Sequence, residues 1–457
     1  MVTGSLSVGV TSEVAPLRQV VVHRPGDEIV RMTQHDLGDL LFDDILSPPE
    51  TVREHDMLVD ILRGSGARVV DVRDLLQRAL DRAPIDDRRQ LLERCCRPHG
   101  VVELVDVLLA WPAERLSLAL VAGLAWRDVA REAVQSLGRL RAESRTPDAI
   151  ALPPLPNLMF TRDPCIAIHD RIVVGRMAHD ARHREPLLVA FGLRHSQAVT
   201  DPKFCFEDQG RGDDRGPSSR SLEGGDVLVV SEKTLLIGCS ERTRAPTIER
   251  LAREALFPAL PELLRVFVVM MPERRTMMHL DTMLTQVDTE LFLGFRPLLE
   301  AGHAHETPVP VARLERDRPA CLLRGATVMD VLREELGGDV QLVPCGGEDH
   351  LHQQREQWTD GANAICVGPG HIILYARNVH TIGALRRHGF EEVRLHVAQS
   401  PAERADRVAE GLRRERSVFS FSGSELSRAR GGGRCLTMPL RRAQRDDDDD
   451  GDATKSS

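Results

Sequence analysis

The sequence has no long apolar run, and no stretch approaches the roughly 18 consecutive apolar residues of a membrane-spanning helix. It also lacks the basic start and the following apolar run of a secretory signal, because the first 17 residues read MVTGSLSVGVTSEVAPL. These absences predict an intracellular, cytoplasmic protein that does not use a membrane surface as a partner.

Paired cysteine spacings and a basic stripe are also missing. The nine cysteines are odd in number and scattered along the chain, which is typical of reduced thiols in a cytoplasm. The net charge is -9, and the basic residues, almost all arginine, are interspersed with acidic ones. We therefore expect no nucleic-acid partner.

What is present begins with a strand, helix, strand pattern. Residues 17–24 (LRQVVVHR) have the β-branched enrichment of a buried strand. Residues 50–63 place apolar positions on one helical face and are followed by glycines, and ARVVDV at 67–72 then predicts a second strand.

Residues 74–144 change in character. Segments such as LLQRAL, LLERCC and AREAVQSLGRL show helical periodicity, interrupted by Pro84, Pro98 and Pro112, with little strand-like alternation. We predict a helical insertion domain over residues 74–148.

Four later segments each contain two short apolar runs around a polar turn, which predicts four β-hairpins. They span residues 166–177, 227–240, 283–295 and 364–378. Helix candidates such as 245–256 and 379–387 follow, and then strand candidates such as 264–270 and 392–396. With the first unit this makes about five copies of an α/β module, which favours radial or side-by-side repetition.

The remaining segments read as connections and a tail. Residues 201–221 are rich in Gly, Asp, Arg and Ser and predict a long mobile loop, whereas the charged residues 398–416 predict an exposed helix. The expected domains are a first module at 12–73, the insertion at 74–148, the remaining modules at 149–440, and a disordered acidic tail at 441–457.

Cys435 is the first candidate for chemistry. It lies in RGGGRCLTMPL, where Arg430, three glycines and Arg434 come directly before it, and these nearby cations are expected to favour the thiolate. Such a thiol in a glycine loop is a reasonable nucleophile. The alternative is a small buried hydrophobe, which is the commoner role of an isolated cysteine.

Polar residues precede three of the predicted hairpins directly. Asp163 lies in NLMFTRDP, Glu223 and Asp226 lie in LEGGDV, and His279 and Asp281 lie in MHLDTM. Each motif alone also fits a turn or a structural histidine. Equivalent positions of repeated units converge when the units surround a centre, so we predict that these side chains share a pocket with Cys435.

Such a pocket, with four carboxylates, an imidazole and a thiol, favours a cation. A guanidinium is planar and presents donors that two carboxylates can bind, so Asp163 and Asp281 would orient its central carbon toward Cys435. His279, held by Glu223, would transfer protons to the leaving nitrogen and from the attacking water.

The same segments resemble the bacterial arginine deiminases of the guanidine-modifying superfamily. NLMFTRDP, LEGGDVL, MHLDTM and RGGGRCLTMPL match the motifs of that family in order. SEVAPLRQVVVHRPGDE, LLFDDI, REHD, CGGED and REQWTDGAN match as well, so the resemblance extends over residues 12–440.

The resemblance implies a fold and an activity. The fold would be α/β, a five-module pseudo-symmetric propeller of ββαβ repeats with a helical insertion. The activity would be hydrolysis of free L-arginine to L-citrulline and ammonia in arginine catabolism, without a metal or an organic cofactor. The partner would be this small molecule, and we also expect a homo-oligomer.

The resemblance also assigns roles to single residues. Cys435 would be the nucleophile, His279 the acid and base, and Glu223 its partner, while Asp163 and Asp281 hold the guanidinium. The residues implied to bind the remainder of the substrate are Asn157, Phe160, Arg182, Asp226, Arg242 and Arg430. Among them Phe160 would pack against the aliphatic stem, and an arginine fork suits the α-carboxylate.

The loop before the nucleophile departs from the family pattern. The family usually has GRGRGGPRC where this sequence reads SRARGGGRC, so that Ser427 and Ala429 replace glycines and Gly433 replaces proline. If either lost glycine required a positive φ, its replacement would cost on the order of 1 kcal/mol or more.

Other readings of the chain remain open. An amidinotransferase would pass the amidino group to an amine instead of water, and a non-catalytic arginine-binding relative would keep the pocket without turnover. A dimethylarginine hydrolase would be shorter, and a peptidylarginine deiminase would add domains and calcium sites. Cys345, His350 and His352 could bind a metal, although CGGED belongs to the family match.

Overall fold

The computed structural model describes residues 7–130, 135–145, 149–207, 220–303 and 306–444. Within these residues the protein is a mixed α/β fold in which short strands alternate with helices. Its strands form several small sheets of two to five strands.

The strands, in chain order, are β1 Leu17–Val22, β2 Arg68–Asp71, β3 Leu124–Ala125, β4 Ile150–Leu152, β5 Cys165–Ile168, β6 Arg171–Val174, β7 Lys203–Glu207, β8 Val227–Ser231, β9 Thr234–Cys239, β10 Arg265–Met270, β11 Leu284–Asp288, β12 Leu291–Gly294, β13 Val311–Glu315, β14 Arg318–Leu322, β15 Gln341–Pro344, β16 Ile365–Gly368, β17 His371–Tyr375, β18 Glu391–Arg394, β19 Ser417–Phe421 and β20 Met438–Arg442.

The helices are α1 Asp27–Val30, α2 Pro48–Gly64, α3 Val72–Arg82, α4 Ile85–Cys96, α5 Val105–Leu109, α6 Ala113–Ala122, α7 Leu137–Arg145, α8 Arg184–His195, α9 Ala245–Arg250, α10 Phe257–Ala259, α11 Arg296–Leu299, α12 Val328–Leu336, α13 His350–Trp358, α14 Val379–Arg387, α15 Pro401–Gly411 and α16 Ser424–Arg428. A π-helical segment, Leu251–Leu256, joins α9 to α10.

One strand pattern recurs five times. In each unit the first two strands pair antiparallel and the second and third pair parallel, with at least one helix between the second and the third. The units are β20, β1 and β2; β5, β6 and β7; β8, β9 and β10; β11, β12 and β15; and β16, β17 and β19.

The four hairpins predicted from the sequence are confirmed as β5–β6, β8–β9, β11–β12 and β16–β17. The first unit is assembled from both ends of the described chain, because β20 pairs with β1 over residues that include Val20 and Pro439. This pairing holds the Cys435 segment beside the N-terminal strand.

The segment predicted as a helical insertion contains helices α3 to α7, and it begins at Val72 rather than at residue 74. It also contributes strand β3, which pairs antiparallel with β4. Leu76, Leu92 and Leu120 lie in the same buried cluster as Ile172 and Val189 of the second unit. The insertion therefore continues the core of the repeats instead of forming one of its own.

Two predictions about connections need correction. Residues 203–207 were expected within a loop, but Lys203–Glu207 is a strand that pairs parallel with β6, because the second unit needs a third strand. Residues 208–219 of that predicted loop lie outside the described residues. The tail was expected from residue 441, but β20 includes Arg441 and Arg442; residues 445–457 lie outside the described residues.

The charged stretch near residue 400 forms α15, as predicted, and this helix packs on α2. Arg404 Nε donates to Asp60 Oδ2 at 2.8 Å, and Gly64 lies against the Val408 side chain. None of the helices in the described ranges is long and apolar enough to cross a membrane.

Candidate active site

Four of the five units contribute a predicted catalytic residue from the segment that leads into the first strand of the unit. Asp163 precedes β5, Glu223 precedes β8, and His279 and Asp281 precede β11, each on or beside a short turn. Cys435 precedes β20 in the same way. The structure thus brings the five predicted catalytic residues into equivalent positions of four units.

His279 is buried between two carboxylates. Its Nε2 lies 2.9 Å from Glu223 Oε2, and its Nδ1 lies 3.8 Å from Asp163 Oδ1. Glu223 is fixed in turn, because the backbone N–H of Ala178 donates to its Oε1 at 2.9 Å. The imidazole is therefore oriented by groups on both sides of the ring.

The carboxylates also set the charge of His279. Burial would lower the pKa of the imidazole, but Asp163 and the hydrogen bond to Glu223 outweigh it and raise the pKa to about 9. Burial likewise opposes ionisation of Glu223, but Arg242 and His279 hold the pKa of that carboxyl below its ordinary value. The pair consists of an imidazolium and a carboxylate at neutral pH.

Cys435 lies among acidic groups. Its Sγ is 3.9 Å from both carboxylate oxygens of Asp281. Burial, Asp281 and Asp163 together raise the pKa of the Cys435 thiol well above its ordinary value.

The expectation that neighbouring arginines stabilise a thiolate was wrong for this geometry, because both guanidinium groups are directed elsewhere. Arg434 pairs with Asp281 at 2.9 Å and with Glu13 at 3.0 Å. Arg430 stacks on Trp358, with its guanidinium carbon 3.4 Å from the ring centroid.

Comparison with known proteins identifies the family. The arginine deiminase family model matches residues 38–442. The chain is 33% identical over 445 residues to the arginine deiminase of Listeria monocytogenes, covering 95% of this chain and 97% of the relative. The chain belongs to the arginine deiminase family.

One further relative and one solved structure complete the comparison. The arginine deiminase of Borrelia duttonii is 31% identical over 447 residues, with 95% of this chain and 97% of the relative covered. Among solved structures, an amidinotransferase from Microseira wollei in the saxitoxin biosynthetic pathway aligns with a TM-score of 0.49 at 13% identity, covering 96% of this chain and 98% of the other.

Arg182, expected from the arginine deiminase motifs to bind a substrate carboxylate, is engaged with protein carboxylates. Its Nη1 donates to Asp163 Oδ2 at 2.9 Å, and its Nη2 donates to Glu185 Oε2 at 2.8 Å. The Glu223 carboxylate lies 3.5 Å from Nη1. Asp163 and Asp281 are the two carboxylates predicted to bind the substrate guanidinium, and we call them the clamp. In this conformation the Arg182 guanidinium is bound to the Asp163 half of the clamp.

The other predicted substrate residues lie close by. Asn157 Nδ2 donates to the Leu40 carbonyl at 2.7 Å, and Arg242 Nη1 lies 3.7 Å from Glu223 Oε2. Phe160 packs so closely on Gly431 that a Cβ at that position would overlap its ring.

Asp226 and Arg430 differ in how many of their polar atoms have hydrogen-bond partners in the described structure. Asp226 accepts hydrogen bonds from the Leu280 backbone N–H at 2.9 Å and the Ser240 hydroxyl at 2.7 Å, so it positions the residue after His279. Arg430 is 8% exposed, and its Nε and Nη1 have no hydrogen-bond partner among the residues that the structure describes. The geometry leaves the substrate contacts of both residues as predictions.

Sequence reasoning missed Asn363. Its Oδ1 accepts from the backbone N–H groups of Arg434 and Cys435, each at 3.0 Å, and its Nδ2 donates to the Asp281 carbonyl at 3.0 Å. Asn363 thus joins the nucleophile to the clamp. Asn363 directly precedes the fourth predicted hairpin. The predicted catalytic carboxylates and imidazole also precede a hairpin, and we call the positions that lead into the first strand of a unit entrance positions. This shared position was the sequence signal that could have identified Asn363.

One group in the described residues has the spacing of a metal site. Asp163, Glu223 and His279 offer ligand atoms within 4.8 Å of one another. Because Arg182 contacts both carboxylates, a guanidinium already neutralises them. The alternative trio of Cys345, His350 and His352 is not brought together as such a group in the part of the chain that the structure describes.

The three departures in the cysteine loop cause no backbone strain at their own positions. Ser427 lies inside α16, and Ala429 has a φ of -73°. Gly433 is absent from the residues with positive φ among those described. Arg430 instead adopts the left-handed conformation, with a φ of 70°, which is uncommon for a residue with a side chain.

Proposed function

We propose that the protein hydrolyses free L-arginine to L-citrulline and ammonia through a covalent amidino adduct on Cys435. The observation that carries this proposal is the convergence of Cys435, Asp281, Asp163, His279 and Glu223 in one buried site. Family membership supplies the reaction class, since the relatives that the chain matches are named arginine deiminases.

Asp163 and Asp281 are proposed to bind the substrate guanidinium. Each already pairs with a guanidinium of the protein, Asp163 with Arg182 and Asp281 with Arg434, both at 2.9 Å. The substrate would replace Arg182 on Asp163, which releases Arg182 for the α-carboxylate. Carboxylates that grip a planar guanidinium also orient its central carbon toward the sulfur.

The first half-reaction forms the covalent adduct. A bound guanidinium supplies the cation that the Cys435 thiol otherwise lacks, so the thiol loses its proton to solvent and the thiolate attacks the guanidinium carbon. The carbon–nitrogen bond then breaks, and the His279 imidazolium gives its proton to the departing nitrogen, which leaves as ammonia.

The second half-reaction releases the product. Neutral His279 takes a proton from water as the water oxygen attacks the same carbon. The carbon–sulfur bond then breaks and the carbon–oxygen double bond of citrulline forms, while the remaining hydroxyl proton passes to the departing sulfur and restores the Cys435 thiol. Glu223 stabilises the imidazolium in each cycle through its 2.9 Å contact with His279.

The remainder of the substrate is proposed to contact Asn157, Phe160, Arg182, Asp226, Arg242 and Arg430. The buried Arg430 nitrogens that lack a partner within the described part of the chain favour a role in binding the α-carboxylate. No metal or organic cofactor has a step in this scheme, since the charges are supplied by side chains.

We also propose that the five ββαβ units form a closed pseudo-symmetric propeller, with the insertion on one side. Strands of neighbouring units contact one another at three of the five junctions that a ring requires, β20 with β5, β11 with β16, and β1 with β16, and these contacts favour a ring. The proposed domains are a first module that ends before Val72, an insertion from Val72 to residue 148, and the remaining modules up to the end of β20 at Arg442. A cytoplasmic homo-oligomer without nucleic-acid or membrane partners completes the proposal.

The test is incubation of the protein with L-arginine while citrulline and ammonia are measured. Equal amounts of both products are expected. Cys435→Ser should abolish the reaction, whereas Cys366→Ser, a matched change at another buried thiol, should retain it. A folded protein that forms neither product would refute the proposal, and transfer only to added amines would indicate an amidinotransferase.

A further inference from the structure

Glu13, from the segment before β1, reaches the active site through one arginine. Its Oε1 lies 3.0 Å from Arg434 Nη2, and its Oε2 lies 3.2 Å from Arg434 Nε. The third nitrogen of that guanidinium, Nη1, donates to Asp281 Oδ2 at 2.9 Å. Arg434 thus connects Glu13 to a clamp carboxylate and is covalently adjacent to the nucleophile.

The chain of contacts is buried and held from several sides. Glu13, Arg434 and Asp281 are each at most 5% exposed. The Val229 backbone N–H donates to Glu13 Oε1 at 3.1 Å, and Arg434 Nη2 also donates to the Val227 carbonyl at 2.7 Å. Solvent therefore contributes little to screening these charges.

Glu13 is the carboxylate that balances a group of buried arginines. Arg434, Arg162 and Arg442 all lower the pKa of its carboxyl, which falls to about 2 although burial alone would raise it. Arg162 Nη2 and both Nε and Nη2 of Arg442 have no hydrogen-bond partner within the described residues. Loss of the Glu13 charge would leave this group strongly cationic.

We propose that Glu13 is a positioning residue of the active site, which neutralises Arg434 so that Asp281 keeps its full charge for the guanidinium and for the Cys435 sulfur. The guanidinium part of this inference rests on the proposed function. The sulfur part does not, because it concerns the free thiol alone.

The charged groups that face Cys435 fix the sign of the expected change. Asp281, Asp163 and Asp360 oppose ionisation of the Cys435 thiol. Arg430 is the nearby cation that interacts favourably with the thiolate, since the Cys435 charge opposes the lowering of the Arg430 pKa by burial. Without the Glu13 charge, the positive charge of Arg434 would be neutralised by Asp281 alone. Asp281 would then exert a weaker negative potential on its surroundings. The thiol would then ionise at lower pH, and the clamp would attract a guanidinium less strongly.

The experiment measures alkylation of Cys435 by iodoacetamide as a function of pH, without arginine, and then the kinetics with arginine. Glu13→Gln keeps the size of the side chain and removes its charge. We expect the alkylation midpoint to fall by about one pH unit, which is a tenfold faster reaction at neutral pH. The KM for arginine should rise at least about tenfold, with a smaller change in kcat.

Glu28→Gln is the matched control, because Glu28 is another buried carboxylate near the N-terminus and pairs with His23 outside the site. It should leave the alkylation profile unchanged. A folded Glu13→Gln protein with the wild-type alkylation profile would overturn the inference, because a merely structural role moves only stability.

Arg434→Gln serves if Glu13→Gln does not fold. This substitution removes the cation next to Asp281, so the proposal predicts the opposite change, which is slower alkylation of Cys435 at each pH. Faster or unchanged alkylation would contradict the proposal. Failure to hydrolyse arginine would refute the proposed function and leave the alkylation result interpretable.

Discussion

Gly225 allows two catalytic side chains to approach the same stretch of backbone. Its N–H donates to Asp163 Oδ1 at 3.1 Å, and the His279 ring lies over it. A Cβ here would lie 2.7 Å from the ring and 3.0 Å from the Asp163 carboxylate. No other residue type leaves room for both groups at their present positions.

Gly225→Ala is therefore expected to displace His279 and to lower kcat by about 100-fold or more, because misplacement of a catalytic group by about 1 Å has effects of this size. Steady-state kinetics with arginine and a thermal melt would test this. Gly383→Ala is the control: nothing lies within 4 Å of a Cβ at this site in α14, so it should keep activity and gain about 0.5 to 1 kcal/mol. Full activity in Gly225→Ala would contradict the packing argument.

Single residues could be predicted from the sequence where a motif marks the entrance to a hairpin. Asp163, Glu223, His279 and Asp281 lie at such positions, whereas Cys435 was predicted from its glycine loop. Long-range partners were beyond reach, because sequence spacing does not show that Glu13 meets Arg434 across 421 positions. The charge of the thiol was also mispredicted, because the directions of the Arg430 and Arg434 side chains depend on tertiary contacts.

Helix α16, which leads to the cysteine loop, is capped by a carboxylate from α2. Glu54 Oε2 accepts from the backbone N–H groups of Glu425 and Leu426 at 2.9 and 3.0 Å, and its Oε1 accepts from that of Ser424 at 2.8 Å. Three otherwise unpaired donors at the start of the helix are satisfied by one side chain.

Glu54→Gln should lower the free energy of unfolding by about 1 to 3 kcal/mol, since charged hydrogen bonds of this kind are lost. It should also raise the KM for arginine, because Arg430 lies two residues after the helix. Urea titration and steady-state kinetics would measure the two effects. Glu50→Gln, on the exposed face of α2, should change neither; an equal effect of the two substitutions would rule out the capping role.

His23, just after β1, lies between carboxylates of two other elements. Its Nε2 is 3.1 Å from Glu28 Oε1 in α1, and its Nδ1 is 3.8 Å from Asp71 Oδ1 at the end of β2. Burial would lower the pKa of His23, but these carboxylates raise it to about 10. The imidazolium thus joins the ends of two neighbouring strands to the first helix.

A folded-state pKa above the ordinary value of 6.5 fixes the sign of the pH dependence. The contribution of His23 to stability is complete below that value and is lost as the pH rises toward 10. His23→Gln should therefore destabilise the protein more at about pH 6 than at about pH 9.5, as measured by urea unfolding. The exposed His35→Gln should show no such difference, and an equal loss for His23→Gln at both pH values would contradict the ion-pair account.

At the scale of the whole molecule, repetition was visible in the sequence through its hairpins. Alternating apolar runs around polar turns depend on local pattern, so all four hairpins could be predicted. The pairing of β20 with β1 joins the two ends of the chain and could not be seen locally. The same holds for the insertion, whose helices pack on α8 and share the core of the second unit.

The entrance positions of all five units meet once Asn363 is included, so the site depends on the complete set of repeats. Asn363 and Cys435 come from the last two units to be completed along the chain, and Asp163 comes from the unit that follows the insertion. A nucleophile, its acid and its clamp therefore assemble only in the folded protein.

The most direct measurement is acid quenching of the protein during arginine turnover, followed by mass spectrometry of its peptides. The account predicts an adduct of arginine less ammonia on the peptide that contains Cys435, with citrulline formed in the same reaction. Neither should be found in Cys435→Ser. Citrulline formed at the wild-type rate by Cys435→Ser, with no adduct on the wild-type peptide, would contradict the assignment of Cys435 as the nucleophile.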